Sequence, residues 1–339
     1  MTAAGEPEVL QLQSVPQPQI QTETQMLVQL RAAGVNPIDT KVRQRGTFYP
    51  DQEPAILGCD GAGVVAEVGS AVQNFQVGDE VYFFNGGLGG PTGNYAEYAV
   101  VDARFAAKKP RSLSFAEAAA APLVLITAWE SLYDRGRLQA GQTTLVHAGA
   151  GGVGHVAVQL AKLQGASVAT TVGTQEKADF IQSLGADLPI LYKEKDFVEA
   201  VLAWTQQEGV DLAFDTVGGK LLENTFGAVK VYGDVVTLLE PAADTSWKVA
   251  RKRNQRISLE LMLTPMMVDS VTYRQDQSKI LNQCARLIDS GKLKICLNYT
   301  FPLEQASQAH RLLGQGSMLG KIALEIGPSA SYKSKIKLP

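Results

Sequence analysis

Glycines spaced as Gly149-x-Gly151-x-x-Gly154, with Gly152 among them, fall inside the stretch TTLVHAGAGGVGHVAVQLAK (143–162). Such spacing lets a backbone turn tightly and approach a pyrophosphate, while the N–H groups opening the next helix point at its negative charge. The fingerprint means little without its context. Here the apolar run TTLVHA precedes it, the helical pattern VGHVAVQLAKLQ follows it, and the strand-like SVATTV (167–172) comes next. A dinucleotide site is therefore expected; a plain strand-to-helix turn is the alternative. The end of SVATTV decides which dinucleotide. An acid there would hold both ribose hydroxyls and mark NAD. The sequence instead offers Thr171, Gly173, Thr174 and Lys177. Small residues leave room, hydroxyls donate and a lysine neutralises charge, which suits a 2′-phosphate and hence NADPH. Lys177 as an ordinary solvated helix residue is the competing reading.

Other chemistries find little support. The three histidines, His147, His155 and His310, form no nucleophile–base pattern with a serine or cysteine, and no nucleophile elbow is present. Cys59, Cys284 and Cys296 include no C-x-x-C pair, which suits a reducing compartment rather than a disulfide framework.

The elements that must position the glycine loop follow from rhythm. From Thr143 onward, strand-like and helical runs alternate: SVATTV, QEKADFIQSLG, LPILY, DFVEAVLAWTQQ, VDLAFDTV, KLLENTFGAV and DVVTLL. That alternation predicts an α/β, doubly wound parallel sheet over about residues 123–260. Residues 1–122 hold short β-type runs (MLVQLRAAGV, GVVAEVG, DEVYFF, YAEYAVV) punctuated by glycine, which predicts a mostly β, barrel-like domain that the helix-rich RSLSFAEAAAAPLVLITAWESLYDRG then leaves. In residues 261–339 a helix, a strand, a helix and the strand GKIALEI return to that first domain, ahead of a loose terminal tail.

Composition bounds the rest. The chain has 339 residues, 45% hydrophobic and 19% charged, with net charge −3, so no basic field suggests nucleic acid. Arg251, Lys252, Arg253 and Arg256 read as a solvated face, or else as a phosphate or partner contact. No signal peptide is visible, and the apolar run 116–127 is too short for a bilayer and holds Glu117 and Pro122. A soluble cytoplasmic protein without membrane insertion is expected.

Several segments together, GEPEVLQLQSVPQP, AAGVNPIDTKVRQRG, ILGCDGAGVV, VGDEVYFF, AAAAPLVLITAWESL, AGAGGVGHVAVQLAK, GTQEKADFIQSLGAD, FDTVGG and GKIALEI, run in order over residues 4–326. They resemble the zinc-independent, zeta-crystallin-like quinone oxidoreductases of the medium-chain dehydrogenase/reductase superfamily. The resemblance implies a GroES-like catalytic domain, a Rossmann domain, NADPH, a homodimer, and quinones or α,β-unsaturated carbonyls as substrates. Because the family pattern starts at residue 4, little room for a transit peptide is expected. Zinc-dependent relatives have a cysteine where this chain has Asn36, Gly-His-Glu where it has Gly58-Cys59-Asp60, and a ligand near Leu123. Zinc needs three protein ligands in a catalytic site, so none is expected. The branch favours a glutamate where Asp60 stands.

Without a metal, another group must polarise a substrate carbonyl. The amide of Asn36 in VNPID is the candidate, as a donor to an oxygen gaining charge; a turn-forming asparagine is the alternative. Asp39 is read as orienting this loop or pairing with Arg43, and Tyr49 as a cleft residue and proton donor, or a packed aromatic. By resemblance, Thr127 lies at the nicotinamide and Tyr192 beside the adenine ribose. Gly149, Gly151, Gly152, Val153, Gly154, Gly173, Thr174, Lys177 and Val217 complete the expected cofactor contacts. Two other functions remain open: an enoyl-thioester reductase on the same scaffold, and a non-catalytic NADPH-binding structural or regulatory protein.

Overall fold

The computed structural model describes residues 1–49, 54–90 and 92–327. Among the described residues, thirteen strands form two sheets. The first sheet has β1 (Gln25–Val35), β2 (Asp60–Val68), β3 (Glu80–Phe84), β4 (Tyr98–Asp102) and β5 (Ala106–Lys108), then β12 (Leu297–Pro302) and β13 (Lys321–Glu325). The order is β12-β13-β1-β2-β3-β5, with β4 also on β1. Every pairing there is antiparallel except β12 with β13. The returning tail thus pairs its last strand with β1, Val35 facing Ile322. The run of β1, buried almost throughout, fits a strand enclosed on both faces.

The second sheet is parallel throughout: β6 (Thr143–Val146), β7 (Ser167–Val172), β8 (Leu188–Leu191), β9 (Val210–Asp215), β10 (Val229–Thr237) and β11 (Arg256–Leu259). Its order is β11-β10-β9-β6-β7-β8. The chain therefore steps from β6 to β7 on one side and later to β9 on the other, which opens a crevice at the C-terminal end of β6. β6, β9 and β10 contribute wholly buried Leu145, Phe214 and Val235.

Two short strands, β5 and β11, were not expected. β11 contains the end of the basic run, which is structural: Arg256 pairs with Asp234 on β10, and Arg253 donates to the Val229 carbonyl at 2.7 Å. Arg251 and Lys252 are exposed on the short helix Lys248–Lys252. The helix Pro122–Trp129 continues as a π-helical turn over Glu130–Arg135. Most of the terminal tail, beyond residue 327, lies outside the described residues.

Candidate active site

A cavity of about 580 Å³ opens at the C-terminal ends of the parallel strands. One side is the glycine loop and the strand exits: Ala150–Gly154, Thr171–Gly173 at the end of β7, Thr216 after β9, Leu238 after β10 and Glu260–Leu263 after β11. The other side comes from the first sheet and its helices: Val35–Ile38, Lys41, Leu123, Val124, Thr127 and Gly316–Ile322 without Leu319.

The glycines divide into two kinds. A Cβ on Gly149 would stand 2.0 Å from Thr170 Oγ1, and one on Gly154 would stand 2.3 Å from the Ala148 carbonyl oxygen. These two let the loop press onto β7 and onto itself. Gly151 and Gly152, with Val153 and Gly154, face the cavity. His155 fastens the loop: its Nδ1 donates to the Gly151 carbonyl at 3.0 Å and its Nε2 accepts from the Cys296 N–H at 3.1 Å. Those partners fix one neutral tautomer, and burial lowers the ring to about 4. His147 is likewise buried and neutral, held by Thr171 and Thr225 hydroxyls. His310 is buried against the Tyr95 hydroxyl at 3.1 Å. None of the three lines the cavity.

At the tip of β7, Gly173, Lys177 and Tyr192 line the cavity, and Tyr192 is 52% exposed. The Lys177 ammonium reaches across to the other side, donating to the Ser317 carbonyl and, at 2.9 Å, to Ser317 Oγ. Thr174 does not line the cavity; its hydroxyl caps the helix Gln175–Ser183. The cap uses one lone pair of that hydroxyl and does not engage its O–H.

At the opposite end a wholly buried polar cluster surrounds Asn36. Its Nδ2 donates to Asp60 Oδ2 at 2.9 Å, and its Oδ1 accepts from the Lys321 ammonium. Both contacts need the amide in the same orientation, so the network fixes which side carries nitrogen. Asp60 Oδ1 accepts the Leu123 N–H at 2.9 Å, tying Asn36 to the helix that carries Thr127. Asp39 Oδ2 accepts the Asn36 N–H at 2.8 Å and the Tyr95 hydroxyl at 3.3 Å. Burial raises Asp39 to about 7 and Asp60 to about 6, the latter opposed by Lys321 and by the Asn36 amide. Burial lowers the Lys321 ammonium, while Asp60 and Asp39 hold it up. Asp39 is therefore a buried brace and does not line the cavity. No Asp39–Arg43 ion pair forms among the described residues; Arg43 Nε and Nη1 have no hydrogen-bond partner.

Two further expected contacts, Tyr49 and Val217, fall outside the cavity lining, whereas Thr127 lines it. Tyr49 is 39% exposed and outside the cavity lining, its carbonyl accepting from Thr47 Oγ1 at 2.7 Å. Val217 is 45% exposed and not among the cavity-lining residues; its neighbour Thr216 lines the cavity instead. The Thr127 hydroxyl already donates to the Leu123 carbonyl at 2.7 Å, so only its lone pairs remain for a ligand. Sequence reasoning missed Lys321, Asp60's brace role and the lining cation Lys41. A lysine opening the apolar strand GKIALEI was the available signal for Lys321.

The residues at the zinc-ligand positions do not suit a metal. Leu123 offers hydrocarbon, Asn36 and Asp60 are engaged with each other, and an ammonium occupies the same cluster. Burial, Asp39 and Asp60 push the Cys59 thiol well up, against the thiolate a metal needs.

Residues 22–111 match the alcohol dehydrogenase GroES-like domain, and residues 184–324 match the zinc-binding dehydrogenase family. The chain is 33% identical to quinone oxidoreductase 1 of Escherichia coli K12, over 93% of this chain and 96% of that one. It is 41% identical to the 2-methylene-furan-3-one reductase of Solanum lycopersicum, over 95% of this chain and 77% of that one. A crystal structure of Escherichia coli quinone oxidoreductase complexed with NADPH superposes with a TM-score of 0.84 at 30% identity, covering 96% of this chain and 98% of that one. The chain belongs to the quinone oxidoreductase branch of the medium-chain dehydrogenase/reductase superfamily.

Proposed function

We propose that the protein is an NADPH-dependent reductase of quinones or α,β-unsaturated carbonyls that uses no metal. The observation that carries this reading is a single cavity joining the glycine loop to the buried amide of Asn36. NADPH held on the glycine loop would supply the hydride. Gly151 and Gly152 would leave room for the pyrophosphate, Gly173, Lys177 and Tyr192 would hold the 2′-phosphate, and Thr127, whose hydroxyl keeps its lone pairs, would offer an acceptor to the nicotinamide end.

In the substrate, a hydride adds to the β-carbon, the alkene electron pair moves toward oxygen, and a proton returns to the α-carbon. Asn36 meets the oxygen. One Nδ2 hydrogen is committed to Asp60, leaving the other as donor, and the Lys321 ammonium on Oδ1 makes that donor stronger. Lys41, a partly exposed cation on the lining, delivers the proton from solvent. Leu123, Val124 and Leu263 keep water from the reacting bond.

The edge strand β11 has one free side, beside exposed Leu259 and Leu261, and a homodimer joined there would cover it. Free cysteines fit a reducing cytoplasm. No described helix is long and apolar enough to cross a membrane.

Following NADPH absorbance with a benzoquinone, an alkenal and an enoyl thioester tests the reading. Turnover of the quinone or the alkenal is expected. Turnover of the thioester alone would move the assignment to an enoyl-thioester reductase, and cofactor binding without turnover would point to a non-catalytic role.

A further inference from the structure

Lys321 carries a charge that its own neighbours do not answer. It opens β13 and is 4% exposed. Its ammonium donates to the Val35 carbonyl at 3.3 Å and to Asn36 Oδ1. Both acceptors are neutral. The Asn36 amide stands between the ammonium and Asp60, accepting from one and donating to the other. Among the described residues Lys321 forms no ion pair. An ion taken out of water is costly unless a counter-charge meets it, so buried ammonium groups are as a rule paired in contact. This one has three hydrogens and two acceptors. Lys321, Val35 and Asn36 all line the cavity, so a ligand there can supply the missing partner.

The stem sets where that ligand atom lies. A Cβ on Gly152 would stand 3.1 Å from Lys321 Cδ, so the methylenes run against the glycine loop. The Gly320 N–H donates to the Ala150 carbonyl at 2.9 Å, and the Lys321 N–H to the Cys296 carbonyl at 2.9 Å. The start of β13 is thereby held to the loop, and the ammonium emerges at the Asn36 end. Asn36 Nδ2 keeps one hydrogen after Asp60 has taken the other. Because the ammonium sits on the oxygen of that same amide, an oxygen accepting the free Nδ2 hydrogen from the cavity comes within its reach.

Resting on the reductase reading above, we propose that Lys321 is a catalytic residue whose ammonium donates directly to the substrate oxygen, beside Asn36, in a two-donor oxyanion site. It acts as a fixed charge and keeps its proton. Hydride addition at the β-carbon puts negative charge on that oxygen. A cation bound only to neutral groups gains more from the charged oxygen than from the neutral carbonyl, and that difference lowers the barrier. The N–H groups opening the helix Gly152–Leu163 are the donors for a pyrophosphate, which leaves the ammonium to the substrate.

4-Nitrophenol is the probe, because its phenolate absorbs visible light and carries charge on oxygen as an enolate does. It is titrated into cofactor-free wild type, Asn36→Ala and Lys321→Met at a pH below the phenol's own pKa. Wild type should bind it as the phenolate, Asn36→Ala should still do so, and Lys321→Met should not. The phenolate band should persist in Lys41→Gln and Lys177→Ala, which remove the other two lysines of the lining. Loss of the band in Asn36→Ala would leave Lys321 acting through the amide alone and overturn the proposal. Its loss in Lys41→Gln or Lys177→Ala, or its absence from wild type, would do the same. These comparisons stand even if Lys321→Met fails to fold. In turnover of an alkenal at saturating NADPH, Asn36→Ala/Lys321→Met should run about tenfold to a hundredfold slower than Asn36→Ala. Equal rates, or a loss confined to NADPH affinity, would place the ammonium elsewhere and overturn the proposal. Absence of turnover by wild type with every substrate would instead sink the reductase reading, and the phenolate band, read without cofactor, would still decide whether Lys321 binds an oxyanion.

Discussion

The two ends of the cavity are built differently. At Asn36 the amide, two carboxyls and an ammonium are buried and, apart from Asp39 Oδ1, hydrogen-bonded, with contributions from the turn after the first strand, the helix Pro37–Arg45, the second strand and β13. At Lys177 and Tyr192 the side chains are partly open to solvent, and among the described residues the cation hydrogen-bonds a serine on a loop. Preorganised donors in a dry site act on a transition state with little reorganisation, whereas screened cations act weakly and mainly on affinity. The buried end should therefore govern rate and folding, and the open end should govern cofactor choice.

The largest expected effect comes from breaking the buried end. Lys321→Met leaves Asp60 and Asp39 buried with no cation, and removing one partner of such a cluster costs about 3–5 kcal/mol. Urea unfolding at neutral pH should show that loss. An unchanged midpoint would mean that the carboxyls are neutral there and that the ammonium is dispensable.

Next is Asn36→Ala. Loss of a preorganised donor to a developing oxyanion costs about 2.7–4 kcal/mol in the barrier, or roughly a hundredfold to a thousandfold in turnover. A variant that turns over near the wild-type rate would leave Asn36 as a loop-shaping residue only.

At the open end the effects shrink. A charge-assisted hydrogen bond is worth about 1.5–3 kcal/mol when ordered, but Lys177 is partly exposed and must leave Ser317 to make it. NADPH should be preferred over NADH by ~10-fold, and Lys177→Ala should erode that preference by weakening NADPH alone. Equal affinity for the two cofactors in wild type would contradict it. Smallest is Thr127→Val, which removes one acceptor worth about 1 kcal/mol and should lower kcat/KM roughly fivefold. A drop as large as that of Asn36→Ala would place Thr127 at the reacting centre.

The same contrast explains what was legible in the sequence. The parallel sheet and its glycine loop follow from local periodicity and short-range spacing, and Asn36 stands out because an amide occupies a ligand position. Lys321 meets Asn36 across 285 residues, and no local pattern encodes such a contact. Asp60 reads only as an acid beside a cysteine until the fold sets the Leu123 N–H against it. Thr174 and Tyr49 show the opposite error. Their chemistry suits a site, but neither Thr174 nor Tyr49 lines the cavity once the chain is folded. Asp39 invites a pairing with Arg43 on helical spacing, but the fold sets it against the Asn36 backbone and Tyr95.

The most direct test sets Asn36→Ala beside Lys177→Ala and measures, for both, turnover with an alkenal at saturating NADPH and the equilibrium affinity for NADPH. The account predicts a crossed result. Asn36→Ala should lose turnover and keep its cofactor affinity, and Lys177→Ala should lose cofactor affinity and keep its turnover. Variants that lose both properties together would contradict the division between a buried end that does chemistry and an open end that selects the cofactor.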